Sequence, residues 1–227
     1  MPQKNSIKTY VKDGYYHIYN RGVEKRKIFQ DTQDYKVFLK YLKGYLSKPP
    51  KREDLQTLFT LKGGSFKGVP RQPKNYYIKI ELIAYCLMPN HFHLLIKQTD
   101  QKVMENFMRS LATRYSMYFN KKYQRVGKLF QGHYKAVLIY DDVYLLHLSR
   151  YIHLNPSEYS TNLLEAYSSY AEYVHRRSTE WVRPEIILNF FDKKTIPEIS
   201  KINSYDKFVE NYKKESREIL GSLTLED

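Results

Sequence analysis

The sequence predicts an α+β fold, an antiparallel sheet carrying helices on one face, and three observations predict it. Short runs rich in β-branched and aromatic residues alternate with longer segments whose apolar residues recur every three or four positions. Their order is strand, helix, strand pair, helix, strand, helix, which suits a sheet with helices packed on it. The chain has 227 residues, 42% hydrophobic and 15% aromatic, enough for one sizeable domain or one domain with an appendage.

The first strand is read in "GYYHIYN" at 14–20, bounded by glycine and by Asn20–Gly22. After the basic loop "RGVEKRKIFQ", Asp31 or Thr32 can cap a helix in which Tyr35, Phe38, Leu39, Leu42 and Leu46 recur at helical spacing. That helix should end near "SKPP", because consecutive prolines lack the donors a further turn needs. Residues 47–75 form an irregular basic insertion. "LQTLFTLKGG" holds at most a short element there, and "GGSFKGVPRQPK" reads as an exposed loop. "YYIKIELIAYCLM" and "HFHLLIKQ" are strand-forming runs separated by Met88–Pro89–Asn90, a predicted hairpin. A helix follows on Val103, Phe107, Leu111, Tyr115 and Met117–Tyr118, then a basic segment and a strand around 134–139. The last helix of the domain spans 141–155, with Asp141 or Asp142 as cap and Leu145, Leu148 and Ile152 as its apolar row. Pro156 disfavours helical geometry at Asn155 or just beyond. Residues 1–160 are read as one domain and 161–227 as a mostly helical C-terminal extension, with a basic helix candidate near 204–219.

The formal charge is +14, from 38 basic and 24 acidic side chains, which points to an anionic partner. Nucleic acid leads, and an anionic membrane surface follows. The 23 tyrosines suit stacking on unpaired bases, although many must be core residues. Cys86 is the only cysteine, which excludes an internal disulfide and a cysteine-rich zinc site. No apolar run reaches the roughly 20 residues that cross a bilayer. "MPQKNSIKTY" lacks a signal-peptide core, so an intracellular, cytoplasmic protein is expected.

Two stretches carry chemistry. In "PNHFHLL" at 89–95, strand alternation turns His91 and His93 to one face and Phe92 to the other. Two imidazoles so placed can share a divalent ion, or they can be ordinary surface polarity on a half-buried strand. In "YIHLN", Tyr151 and Asn155 stand four residues apart on one helical face. An amide oxygen can ligate a cation while a phenol reaches a phosphate that the cation polarises. Alternatively, Tyr151 is a packing aromatic and Asn155 ends the helix.

Together, "MPNHFHLLI" at 88–96, "YNRG" at 19–22, "GKLFQGHYKA" at 127–136 and "YIHLNP" at 151–156 resemble single-tyrosine (HUH) transposases of the IS200-like group. Within it they are most similar to the branch associated with repetitive extragenic palindromes, and the resemblance spans about residues 13–160. It implies a ferredoxin-like antiparallel sheet, Tyr151 as nucleophile, and His91, His93 and Asn155 as ligands of Mg²⁺ or Mn²⁺. Asparagine at 155 sides with the palindrome-associated branch, glutamine being usual in the other. Water, His147 or His153 can complete the metal shell.

The implied chemistry is transesterification of single-stranded DNA near a hairpin, through a 5′-phosphotyrosine and a free 3′-OH. Substrate contacts are expected from Asn20, Arg21, Lys25, Arg26 and Lys27. The second basic segment offers Lys121, Lys122, Arg125, Lys128, His133 and Lys135, with Tyr123, Phe130 and Tyr134 stacking on bases. The resemblance favours a monomer over a homodimer, in a bacterial protein that is nucleoid-associated when bound to DNA. Two other readings stay open: a non-catalytic binder of hairpin or single-stranded nucleic acid, and a phosphodiesterase that uses water.

Overall fold

Alternation along Tyr15–Arg21 (β1) sends Tyr16 and Ile18 into one hydrophobic layer and brings His17 and Tyr19 together on the opposite face. The same period in His91–Gln98 (β5) places Phe92, Leu94 and Ile96 in that first layer, while His91 and His93 meet on the other face. The computed structural model describes residues 9–194 and 196–211.

Ile80–Met88 (β4) and Lys135–Ile139 (β6) complete a sheet in the order β4-β5-β1-β6, every neighbouring pair antiparallel. A bulge between Leu82 and Ala84 shifts the β4 register. Ile83 and Ala84 therefore both enter the second core, and beyond them Cys86 and Met88 face it while Tyr85 and Leu87 face the first. The expected hairpin turns at Pro89–Asn90, and Pro89 O accepts from the N–H groups of Ile28 and Phe29. With its two crossing helices, this strand order is the ferredoxin-like arrangement the motifs imply.

Thr32–Leu46 (α1) starts on a capping box: Asp31 accepts from the Asp34 N–H, and the Asp34 side chain accepts from the Asp31 N–H. Val103–Lys122 (α2) buries Phe107, Leu111, Tyr115 and Phe119, and packs with α1 on the first face of the sheet. Met117, counted in the apolar stripe from sequence, is 69% exposed. Asp142–Leu154 (α3), capped by Asp141, lies on the second face. The second core joins it to Tyr170–Tyr173 (α4), Glu185–Lys193 (α5) and Tyr205–Glu210 (α6). Helices thus cover both faces, not one as the element order suggests. The cause is visible in β4 and β5, whose buried residues run almost without interruption, as a sheet packed on both sides requires. The helix candidate near 204–219 is observed as α6, and its residues 212–219 lie outside the described residues.

The outer edge of β4 is also covered. Tyr167 O accepts from Leu87 N–H, Ser169 N–H donates to Tyr85 O, and Arg183 N–H donates to Leu82 O. These bonds occupy edge groups that would otherwise template pairing with another chain.

The insertion is more regular than its composition suggests. Thr57–Leu61 (β2) pairs with Gly64–Gly68 (β3) in a separate two-stranded ribbon. Lys62 and Gly63 both adopt positive φ, 50° and 82°, the geometry of a two-residue hairpin turn. Phe59 stacks on Phe66 across the pair, ring centroids 5.6 Å apart.

A polar knot ties α1 to α2. Asp34 is fully buried and accepts from Lys122 Nζ at 2.7 Å, Tyr118 Oη at 2.9 Å, Tyr123 Oη at 2.7 Å and Gln30 N–H at 2.8 Å. Burial alone would raise its carboxyl pKa, but these donors outweigh it and hold the group below its ordinary range. Asp34→Ala should lose about 2–4 kcal/mol in urea unfolding, because several donors lose their acceptor at once.

Candidate active site

β1, β5 and α3 place their polar side chains in one aromatic cluster on the second face of the sheet. His93 is fully buried. The His17–His93 ring nitrogens, Nε2 and Nδ1, lie 2.8 Å apart, and the two rings stack with centroids at 5.1 Å. The ring of Tyr151 meets His93 edge-on at 5.6 Å and His17 at 6.3 Å. His91 lies at right angles to His93, 5.0 Å away, with its Nδ1 2.6 Å from Asn90 Oδ1. The Asn155 side chain lies close enough to His91 to favour its charged form.

Asn155 reaches that position because α3 continues into a 3₁₀ turn over Asn155–Glu158. Asn155 itself is helical, φ −49° and ψ −44°, contrary to the expectation set by Pro156. The ring of Pro156 is buried and occupies the first turn of the 3₁₀ segment, where no proline N–H is required. Asn155 Nδ2 donates to Tyr151 O at 2.8 Å, which fixes the amide relative to the residue one turn before it.

The electrostatics suit a ligand set. Burial drives the His91 imidazole down to about 4; the Asn155 side chain opposes this and nearby Arg21 adds to it. His93 is pushed well below its ordinary value by burial, then by His91 and His17. Both rings are therefore neutral at physiological pH, the form that binds metal. His93 Nε2 is buried and has no hydrogen-bond partner among the described residues, and a metal ion would satisfy it. Among the described residues no group of three or more His, Cys, Asp or Glu is placed to hold a metal. The available donor set is two imidazoles and one amide.

The residues read from sequence as DNA contacts divide sharply. Arg21 pairs with His91 across the β1–β5 ladder, and its Nε donates to Gln131 Oε1 at 2.7 Å. Lys135 Nζ lies 5.8 Å from the centre of the Tyr19 ring, which itself packs on His17 and His93. Both cations therefore flank the histidine cluster. Lys25, Lys27, Lys121, Lys128 and His133 are exposed. Asn20 is buried and donates to Gly132 O, Arg26 pairs with Glu24, and Arg125 bonds Asn120. Lys122 is held by Asp31 and Asp34.

The three aromatics expected to stack on bases are used internally. Phe130 belongs to the first core against Phe92. Tyr134 is buried in the same core, its hydroxyl 3.2 Å from that of Tyr10. Tyr123 gives its hydroxyl to Asp34 and packs on Phe119 at 4.5 Å. Phe130 and Tyr134 are thereby buried, while Tyr123 stays half-buried.

Neither further histidine on α3 adjoins the pair on β5 through its described contacts. His147 Nδ1 lies 2.8 Å from Arg150 Nη2, and its ring packs on Phe208. His153 is fully buried between the Tyr205 hydroxyl at 2.7 Å and Ser169 Oγ at 2.8 Å. Burial lowers His153 from 6.5 to about 3. Its neutral form is thus favoured in the fold, and its share of stability is complete above pH 6.5 and drains as pH falls towards 3. The slope is up to about 1.4 kcal/mol per pH unit for such an imidazole. Urea unfolding at pH 7.5 and 5.5 should show this loss, and His153→Gln should remove its share of the difference.

Sequence reasoning missed His17, Tyr19 and Tyr144. The signal for the first two was the period-2 placement of His17 and Tyr19 in "YHIYN", on the same strand face. Tyr144 stands seven residues before Tyr151 on α3, within electrostatic reach of both Tyr151 and Tyr19. Burial, then Tyr151 and Tyr19, raise its phenol pKa above the ordinary value.

His91, His93, Tyr151 and Asn155 all fall inside residues 72–155, which match the family model "Transposase IS200 like". This segment is thus similar to the IS200-like transposases. A solved structure of a REP-associated tyrosine transposase bound to a REP hairpin shares 14% identity, covering 77% of this chain and 87% of its own, with a TM-score of 0.50. A candidate transposase of Deinococcus radiodurans, also 14% identical, covers 67% of this chain and 95% of its own at a TM-score of 0.36. At 14% identity the first likeness is one of fold. No curated protein matches the chain. Among the described residues, no helix is long and apolar enough to cross a membrane.

Proposed function

We propose that the chain is a metal-dependent single-stranded DNA endonuclease and strand transferase of the palindrome-associated kind, cleaving beside DNA hairpins through Tyr151. The observation that carries this reading is the convergence of the Tyr151 ring on His93 and His17, with His91 beside His93 and the Asn155 amide tied to Tyr151 O. It occurs within the segment that matches the family model. These five residues converge within one chain, which supports a site that works in a monomer.

Tyr151 Oη attacks the scissile phosphorus in line. The bond from phosphorus to the 3′-oxygen breaks as the bond to Oη forms, the phenol loses its proton, and the departing 3′-oxygen gains one. The product is a 5′-phosphotyrosine and a free 3′-OH, so the number of phosphoester bonds is unchanged and a second 3′-OH can reverse the step without a nucleotide cofactor. His91, His93 and Asn155 would hold Mg²⁺ or Mn²⁺, which supplies charge neutralisation at the phosphate. Arg21 and Lys135 flank the cluster and draw the phosphodiester to it. Packing against His93 and His17 limits the rotation of the phenol and keeps it directed at the bound strand.

Incubation with labelled, hairpin-bearing single-stranded DNA tests the proposal. A protein–DNA adduct that survives denaturation, forms only with Mg²⁺ or Mn²⁺, and maps by mass spectrometry to the peptide containing Tyr151 is the expected result. Adduct on any other residue, or cleavage without adduct, overturns it.

A further inference from the structure

The β2–β3 ribbon lies ahead of the family-matched segment. Its surroundings are strongly basic: Lys51, Arg52, Lys62, Lys67, Arg71 and Lys74 are exposed, and none forms an ion pair among the described residues. The nearby acids are Glu53 and Asp54. Leu58 is 67% exposed among these cations.

We infer that this ribbon is a duplex-DNA reader that enters the major groove of the substrate's base-paired arm. The inference extends the proposed function, which supplies a substrate with a folded hairpin. Alternation puts Leu58, Thr60, Ser65 and Lys67 on one ribbon face, Leu58 opposite Lys67 and Thr60 opposite Ser65. Thr60 Oγ1 and Ser65 Oγ lie 3.2 Å apart. Hydroxyls can donate to or accept from base edges, an apolar side chain can meet a thymine methyl, and the lysines neutralise the bordering phosphates.

The dimensions agree. Two strands of five residues make a ribbon about 17 Å long with strands about 5 Å apart, and the major groove of B-DNA, about 12 Å wide, admits a two-stranded ribbon. The deep, narrow major groove of an RNA duplex does not admit it, so DNA is the occupant. The ribbon leads to Ile80, which pairs with Gln98 at the end of β5 away from His91. Seven residues of strand separate those ends, about 23 Å. The chain thus joins the sheet from the insertion at the end of β5 far from the histidine cluster.

Fluorescence anisotropy on the full chain reads the inference without any catalysis, using a blunt 20-base-pair duplex and an unstructured 20-mer of single strand. Lys62→Gln/Lys67→Gln, both exposed positions, should weaken duplex binding about ten-fold at 0.1 M salt. Losing two phosphate contacts should flatten the log–log salt slope by about 2. Single-strand affinity should change less than two-fold. Replacing residues 57–68 with a short Gly-Ser linker should do more of the same, and a major-groove dye should compete with wild type while a minor-groove ligand should not. Unchanged duplex affinity in both variants overturns the inference. Equal losses on both DNAs, absent wild-type duplex binding, or a wild-type dimer that dissociates in the variants also overturn it. If duplex binding falls as stated while no Tyr151 adduct ever forms, the ribbon assignment stands and the nuclease reading fails.

Discussion

Tyr151→Phe is expected to abolish the covalent adduct and to reduce strand cleavage at least about 10³-fold, because the group that forms the phosphoester bond is gone. The substitution removes one oxygen from a half-buried ring whose edge contacts with His93 and His17 remain available to phenylalanine. Stability should therefore change by about 1 kcal/mol or less, and binding to hairpin DNA should persist. That combination separates the candidate mechanisms in one experiment. A water-using phosphodiesterase keeps its cleavage in the variant, because its nucleophile is unaffected. A non-catalytic binder shows no cleavage in either protein. Only a tyrosine nucleophile loses cleavage and adduct while folding and binding hold. The comparison is cleanest above pH 6.5, where His153 and His93, both neutral in the fold, do not destabilise it.

The fold was legible where local chemistry and tertiary packing agree. Asp31 sits at a cap because its carboxylate meets free N–H groups, and "HFH" alternates because strand geometry leaves it no choice. Both are local rules. The rest depended on distant partners. Nothing in "DDVYLLHLSRYIHLN" reveals which face meets Ser169 and Tyr205, yet those residues bury His153 in the second core. Phe130 and Tyr134 lie among basic residues in sequence and read as a stacking surface, but strand β6 and the loop before it carry their rings into the first core. In the insertion, glycine and lysine at the turn read as an exposed loop, whereas positive φ at Lys62 and Gly63 makes the same residues a tight reversal. The bulge in β4 has no single-residue signature, and it decides which of Ile83 to Met88 face the second core.

His17 was the most consequential omission, and it yields the second large expected effect: His17→Ala should weaken Mn²⁺ binding about 10- to 100-fold. His93 can use Nε2 as a ligand only if its proton resides on Nδ1. The neighbouring His17 Nε2, 2.8 Å from that Nδ1, can accept the proton's hydrogen bond and so fix both tautomer and ring angle. Removing it leaves His93 free to place its proton on the wrong nitrogen and opens a void beneath a ring that is now stacked at 5.1 Å. His17→Gln keeps an acceptor at similar reach and should recover much of the affinity, which a purely packing role would not predict. Calorimetry or Mn²⁺ electron paramagnetic resonance reads the effect on protein without DNA, so the result does not depend on turnover. Equal metal affinity in wild type and His17→Ala would mean that His93 is oriented by its strand alone, and that the 2.8 Å contact serves stability.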